Sequence, residues 1–125
     1  MTTRESPEFG RFLGPILDAL RKLGGSATPQ QVTDVLAHEL GVSQRAMDEA
    51  LPSGKSRVKN QIHWARFYLV RAGLLDSPSR GVWSLTGKGR DTQLDEARTS
   101  ALVRDLQRQI SYARRGRKAK VRVAP

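Results

Sequence analysis

From Glu8 to Leu23 the apolar residues Phe9, Phe12, Leu13, Ile16, Leu17, Leu20 and Leu23 recur at intervals of three and four. That spacing predicts a helix with one buried stripe. Pro15 lies inside it, and an interior proline lacks a backbone donor, so it kinks or restarts the helix. Gly24, Gly25 and Ser26 end the segment. A second helix opens with Thr28 as cap, Pro29 in the first turn and Gln31 where a capping-box partner belongs. Its stripe is Val32, Val35, Leu36 and Leu40, and Gly41 stops it. A short third helix starts at Ser43 and carries Ala46, Met47 and Ala50, before a turn at Leu51-Pro52-Ser53-Gly54.

A fourth helix is predicted from about Lys55 to Ala72, with Val58, Ile62, Ala65 and Leu69 on its buried face. Its first half is one-sided, with Ser56, Lys59, Asn60 and His63 pointing away from that face. Its second half adds Trp64, Phe67, Tyr68 and Val70 and reads as packed nearly all round. A β-hairpin follows, from Leu74-Leu75 through a polar tip at Asp76–Gly81 to a return strand at Val82–Thr86. Trp83 and Leu85 alternate with Val82 and Ser84, so one face is buried. Gly87 and Gly89 break the pattern. A last helix is expected from Asp91 to Tyr112, with a ragged stripe of Leu94, Ala97, Ala101, Leu102, Leu106 and Ile110. The end, ARRGRKAKVRVAP, reads as a disordered basic tail.

The fold class that follows is mainly α with a small β-hairpin, a winged helix-turn-helix plus a C-terminal helix. Residues 8–90 form the winged-helix domain, and 91–125 the C-terminal helix and tail. At 125 residues and 38% hydrophobic there is room for one domain with an appendage. No cysteine is present, so no disulfide or thiolate zinc site can form. No run approaches ~18 apolar residues and the start has no signal-peptide pattern, so a cytoplasmic, nucleoid-associated protein away from membranes is expected.

Charge sharpens this picture. The net is +10, and it is unevenly placed. Residues 1–52 hold 5 basic and 7 acidic side chains, residues 53–90 hold 8 and 1, and residues 91–125 hold 9 and 4. A basic centre and tail behind an acidic front suits a polyanion binder with one binding face, the acidic front orienting the encounter.

Helix, turn, helix and wing in this order place the start of the fourth helix against base edges in the major groove of double-stranded DNA. That start supplies Lys55, Ser56, Arg57, Lys59, Asn60 and His63. Asparagine can pair bidentately with adenine, and arginine or lysine with guanine. Lysine and arginine more often touch phosphate. Ser53 and Gly54, at the helix start, are expected to offer free backbone amides to a phosphate. Arg57 and Arg66 lie off the most exposed arc and suit packing or ion pairing as well. Trp64 and Trp83 read as core. Arg80 at the wing tip reaches the backbone, the minor groove or only water. The tail residues Arg114, Arg115, Arg117, Lys118, Lys120 and Arg122 add nonspecific affinity, or bind RNA or a protein.

Two alternatives fall away. Gly54-Lys55-Ser56 is like the end of a phosphate-binding loop, but Glu49 stands where the first glycine is required. His38 and His63 have no third ligand at a useful spacing, so neither a metal nor an acid–base site is supported. No cofactor and no catalytic residue is expected.

The segment LPSGKSRVKNQIHWARFYLVRAGLLDSPSRGVWSLTGKGR, residues 51–90, resembles the N-terminal winged-helix domain of the Mrr family of restriction proteins. The marks are Leu51-Pro52-Ser53-Gly54, Asn60, Trp64-Ala65, Leu69, Ala72-Gly73-Leu74, Arg80-Gly81 with Trp83, and Leu85-Thr86 with Gly89. Counting the preceding helices, the resemblance covers about residues 8–90. It implies DNA recognition, with modified bases as one target. Family members usually continue into an endonuclease domain; after residue 90 this chain has one helix and a basic tail, so no nuclease is expected in it. The rival readings are a free-standing transcriptional or nucleoid regulator, with the last helix as the seam of a homodimer, an RNA-binding or ribosome-associated module, and an enzyme fragment, which only the resemblance supports.

Overall fold

A computed structural model describes residues 8–54, 56–77 and 80–123, with backbone only for Glu8 and for 116–123. The first periodic segment is split. A 3₁₀ turn at Glu8–Phe12 leads into α1, Leu13–Lys22. Pro15 sits in the first turn of α1, where its missing donor would be unpaired in any case, so the proline restarts the helix rather than bending it. α2 covers Pro29–Glu39 and has the full capping box: the Thr28 hydroxyl accepts from the Gln31 amide and the Gln31 side chain accepts from the Thr28 amide. α3 is Gln44–Asp48, capped by Ser43, and α4 is Arg57–Arg71.

The sheet has one strand more than the hairpin expected. β1, Ser26–Ala27, pairs antiparallel with β3, Trp83–Leu85, which pairs in turn with β2, Leu75–Asp76, giving the order β1-β3-β2. Ser26 lies opposite Ser84, Ala27 opposite Trp83, and Leu75 opposite Leu85. The Ser26 and Ser84 hydroxyls meet at 2.7 Å. A two-residue strand after two glycines is too short to show a period of its own, which is why β1 was read as a stop. With α1 leading into β1, α2 to α4 following, and the β2–β3 wing last, the chain has the winged-helix arrangement.

Gly87 and Gly89 belong to a short helix, α5 at Gly87–Asp91, whose cap is Thr86, its hydroxyl accepting from the Gly89 amide. Gly89 packs so closely that a Cβ there would stand 1.9 Å from the Leu74 carbonyl oxygen. Only glycine fits this crossing of α5 and the β2 approach.

The long final helix is therefore interrupted. Thr92–Asp95 is non-helical, and α6 runs from Glu96 to Val123, with the Arg98 amide donating to the Asp95 carboxylate at 2.7 Å. The expected disordered tail is a further correction: the backbone of 113–123 continues α6 as helix. Arginine, lysine and alanine, good helix formers, make up eight of the eleven residues 113–123, with Gly116, Val121 and Val123 the exceptions. The packed stripe of α6 is also rephased. Thr99, Val103 and Leu106 are buried, whereas Ala97 and Ala101 are exposed.

The core joins Phe12, Leu13, Ile16, Leu17 and Leu20 with Val32 and Leu36 of α2, Ile62, Ala65 and Leu69 of α4, and Trp83 and Leu85 of β3. Each such leucine or isoleucine contributes about 1.5–3 kcal/mol by leaving water. The stripe fixes the rotation of α4 and so decides which of its side chains face outward.

Candidate nucleic-acid interface

α4 begins later than its sequence suggests, for a geometric reason. Ala50 and Ser56 form an antiparallel bridge that closes 51–55 into a loop. Gly54 turns that loop at φ +89°, and its amide donates to the Leu51 carbonyl at 2.8 Å. Ser56 then caps α4: its hydroxyl accepts from the Lys59 amide and donates to the Met47 carbonyl at 2.7 Å.

Two expectations change as a result. Ser56 holds α3 to the start of α4, so its hydroxyl is committed to the fold. Of the two amides expected to be free, that of Gly54 is engaged by Leu51, and at the actual start of α4 the Arg57 amide donates to the Glu49 carbonyl at 2.9 Å. Arg57 is also held by charge, with Nε 2.6 Å from the Glu49 carboxylate. This is the ion-pairing alternative for Arg57, made through its Nε.

Lys59, Asn60 and His63 remain on the outer face. With Ser56 they line an open hollow of about 380 Å³. Lys59 and His63 are exposed and Asn60 is half-buried. Among the described residues none hydrogen-bonds these three side chains. They therefore keep donors and acceptors available within an arc of about 100° on α4, with His63 one turn beyond Lys59 and Asn60. Ser53 and Gly54 are exposed on the adjoining loop, and Lys55 lies outside the described residues.

A second hollow of about 380 Å³ adjoins the first and shares Lys59 and His63 with it. Its other walls are the start of α2, at Pro29 and Gln30, together with Arg66 and Trp83. Arg66 ties the wing to α4. Its Nη2 donates to the Ser77 hydroxyl at 2.8 Å, and its guanidinium lies 5.8 Å from the centre of the Trp83 ring. The Arg66 Nε is buried without a hydrogen-bond partner, and the ring face is what stabilises the cation there. The sequence pointed to packing or ion pairing for Arg66 but not to this link, which depends on where the wing folds back.

The two tryptophans part company. Trp83 is 8% exposed and in the core, as expected, whereas Trp64 is 43% exposed. Trp64 makes edge contacts with Phe67 and His63 instead of entering the core. Val70 is also exposed, so the second half of α4 is not packed all round. Arg80 is exposed at the wing tip. Arg114 and Arg115 are exposed on α6, and the side chains of Arg117 and Lys118 lie outside the described residues. The outer face of α4, the wing and the far part of α6 thus supply separate groups of cations. Among the described residues no cluster of three histidines or carboxylates could hold a metal ion.

A winged-helix body with an outward polar helix beside its wing matches the family model described as the Mrr N-terminal domain, over residues 9–94. The chain belongs to this family. It is 35% identical over 85 residues to the Type IV methyl-directed restriction enzyme EcoKMrr of Escherichia coli strain K12, a match covering 68% of this chain and 28% of that protein. The matched segment thus spans 28% of that relative's length, and α6 begins just after the family match ends. No solved structure matches the chain. Among the described residues no helix is long and apolar enough to cross a membrane.

Proposed function

We propose that the chain is a non-catalytic module that binds double-stranded DNA, with the outer face of α4 in the major groove and the wing on the flanking backbone. The observation that carries this reading is the set Lys59, Asn60 and His63, whose side chains hydrogen-bond to none of the described residues and line one hollow on the outer face of α4. Among the described residues no carboxylate lines that hollow or the adjoining one. A phosphate-bearing ligand would meet cations and amide or imidazole donors there. Asn60 is the base reader, since an amide donates and accepts together as adenine requires. Lys59, with Arg80 at the wing tip, anchors phosphate. Family membership supports the same reading, and the relative's description as methyl-directed makes methylated duplexes the first probes to compare with unmethylated ones.

The test is a pair of substitutions read on preferred and random duplexes. Asn60→Ala should cost about 1–3 kcal/mol on a preferred site and much less on random DNA. Lys59→Ala should weaken both nearly equally and make the salt slope shallower by about one unit. Melting curves serve as the control. An Asn60→Ala protein that is folded and keeps its full preference would overturn the assignment of α4 as the reading helix. Plasmid DNA incubated with the protein and magnesium should stay uncut, and cleavage abolished by a single substitution would make the chain an enzyme instead.

A further inference from the structure

The cations of α6 form a ridge. α6 is 28 residues long, about 42 Å at 1.5 Å per residue. Its packed stripe is Thr99, Val103, Leu106 and the half-buried Ile110. Beyond Ile110, every residue from Ser111 to Arg115 is exposed, so the helix leaves the body there. Arg104, Arg108 and Arg115 are all exposed, and at 100° per residue they share one face, well over a third of a turn away from the packed stripe. The sequence repeats the same face at positions 118 and 122, Lys118 and Arg122. From 104 to 122 this ridge spans about 27 Å.

Two features separate it from an ordinary solvated face. From residue 104 to 123 there are 8 lysines and arginines and one acidic residue, Asp105, whose carboxylate lies 3.7 Å from Arg108, whereas a solubilising helix surface usually mixes both signs more evenly. Like charges also stand four apart at 104 and 108, 114 and 118, and 118 and 122. Each such pair disfavours an isolated helix by about 0.2–0.5 kcal/mol. The helix dipole favours cations only in the last turn, which accounts for Lys120 and Arg122 but not for Arg104 to Arg115. The packed stripe, continued in helical phase, meets Ala113, Arg117 and Val121. The arginine in its middle argues against an apolar seam between two copies.

We infer that the ridge of α6 is a second DNA-contacting surface, which lies along the phosphates of a duplex and whose outer helix is held by that contact. This rests on the reading of the chain as a DNA binder, but it concerns a segment outside the family match. The ridge reads charge and leaves sequence preference to α4.

The test uses the full chain with a 24-base-pair duplex, comparing the wild type with the triple variant Arg104→Gln, Arg108→Gln, Arg115→Gln. Affinity at about 0.1 M salt should fall at least ~10-fold on every duplex alike, with a salt slope shallower by about two to three units. Hydrogen exchange of amides 111–123 should slow by at least ~10-fold when the duplex is added to wild type, and not in the variant. Unchanged affinity and exchange would overturn the inference, and so would an effect seen with a structured RNA but not with the duplex. The α4 substitutions distinguish the two readings. Loss on Asn60→Ala with no effect of the triple variant leaves the proposed function standing and removes the ridge. The reverse keeps the ridge and removes α4 as reader.

Discussion

α4 and α6 each bury one face and turn cations outward, but different forces fix the two outward faces. α4 is packed from Val58 to Leu69, closed at its start by Ser56 and clamped by the Arg57–Glu49 pair. Its side chains are aimed by the core. α6 is packed as far as Ile110 and is then exposed at every residue of Ser111–Arg115. Over that length only local propensity and its partners act on it. A helix that must present a particular amide to a particular base needs the first kind of support, because a small rotation moves the donor out of reach. A helix that meets phosphates as a line of charge needs only length and sign.

The largest effect that could break this comparison is on the core. Leu69→Ala, at a fully buried position, should cost about 2–5 kcal/mol in denaturant unfolding, whereas Ile110→Ala, half-buried on α6, should cost under about 1 kcal/mol. Equal costs would mean that α6 is as integral to the body as α4. The next effect is at the α4 cap. Ser56→Ala removes both the cap and the tie to the Met47 carbonyl and should lower stability by about 0.5–2 kcal/mol. A fully stable Ser56→Ala that loses DNA binding would return Ser56 to the role of direct contact. Smallest is removal of 113–125, which should leave stability within about 0.5 kcal/mol by thermal melting while weakening binding to all duplexes alike. A large drop in melting temperature would place these residues in the fold.

Much of the α4 arrangement was legible beforehand. The period of Val58, Ile62, Ala65 and Leu69 gave its buried face, and Lys59, Asn60 and His63 do lie outside it. The caps at Thr28 and Ser43 were legible for the same reason, because a cap is a bond between near neighbours. The commitment of the Ser56 hydroxyl and the identity of Arg57's ion-pair partner were not legible, because Met47 and Glu49 come from the preceding helix and its C-cap, across a loop whose closure no local pattern announces. Trp64 was misread as core because its size suggests burial, and exposure depends on what lies opposite. β1 and α5 were missed because two and five residues carry too little periodicity to register. The basic tail was read as disordered on charge alone, against residues whose helix propensity is good.

What the sequence determined by itself was whatever depends on neighbours three or four residues away: the helices, their buried stripes, the first two caps, the hairpin and the uneven placement of charge. The tertiary structure alone decided which polar side chains remain available. Arg57 is drawn to Glu49, Arg66 to Ser77 and the Trp83 ring, and Gln61 to Arg11 at 3.0 Å, while Lys59, Asn60 and His63 are left open. The physical reason is that a hydrogen bond or ion pair needs a few ångströms of proximity, and the residues that supply it here lie 8 to 50 positions apart in the chain.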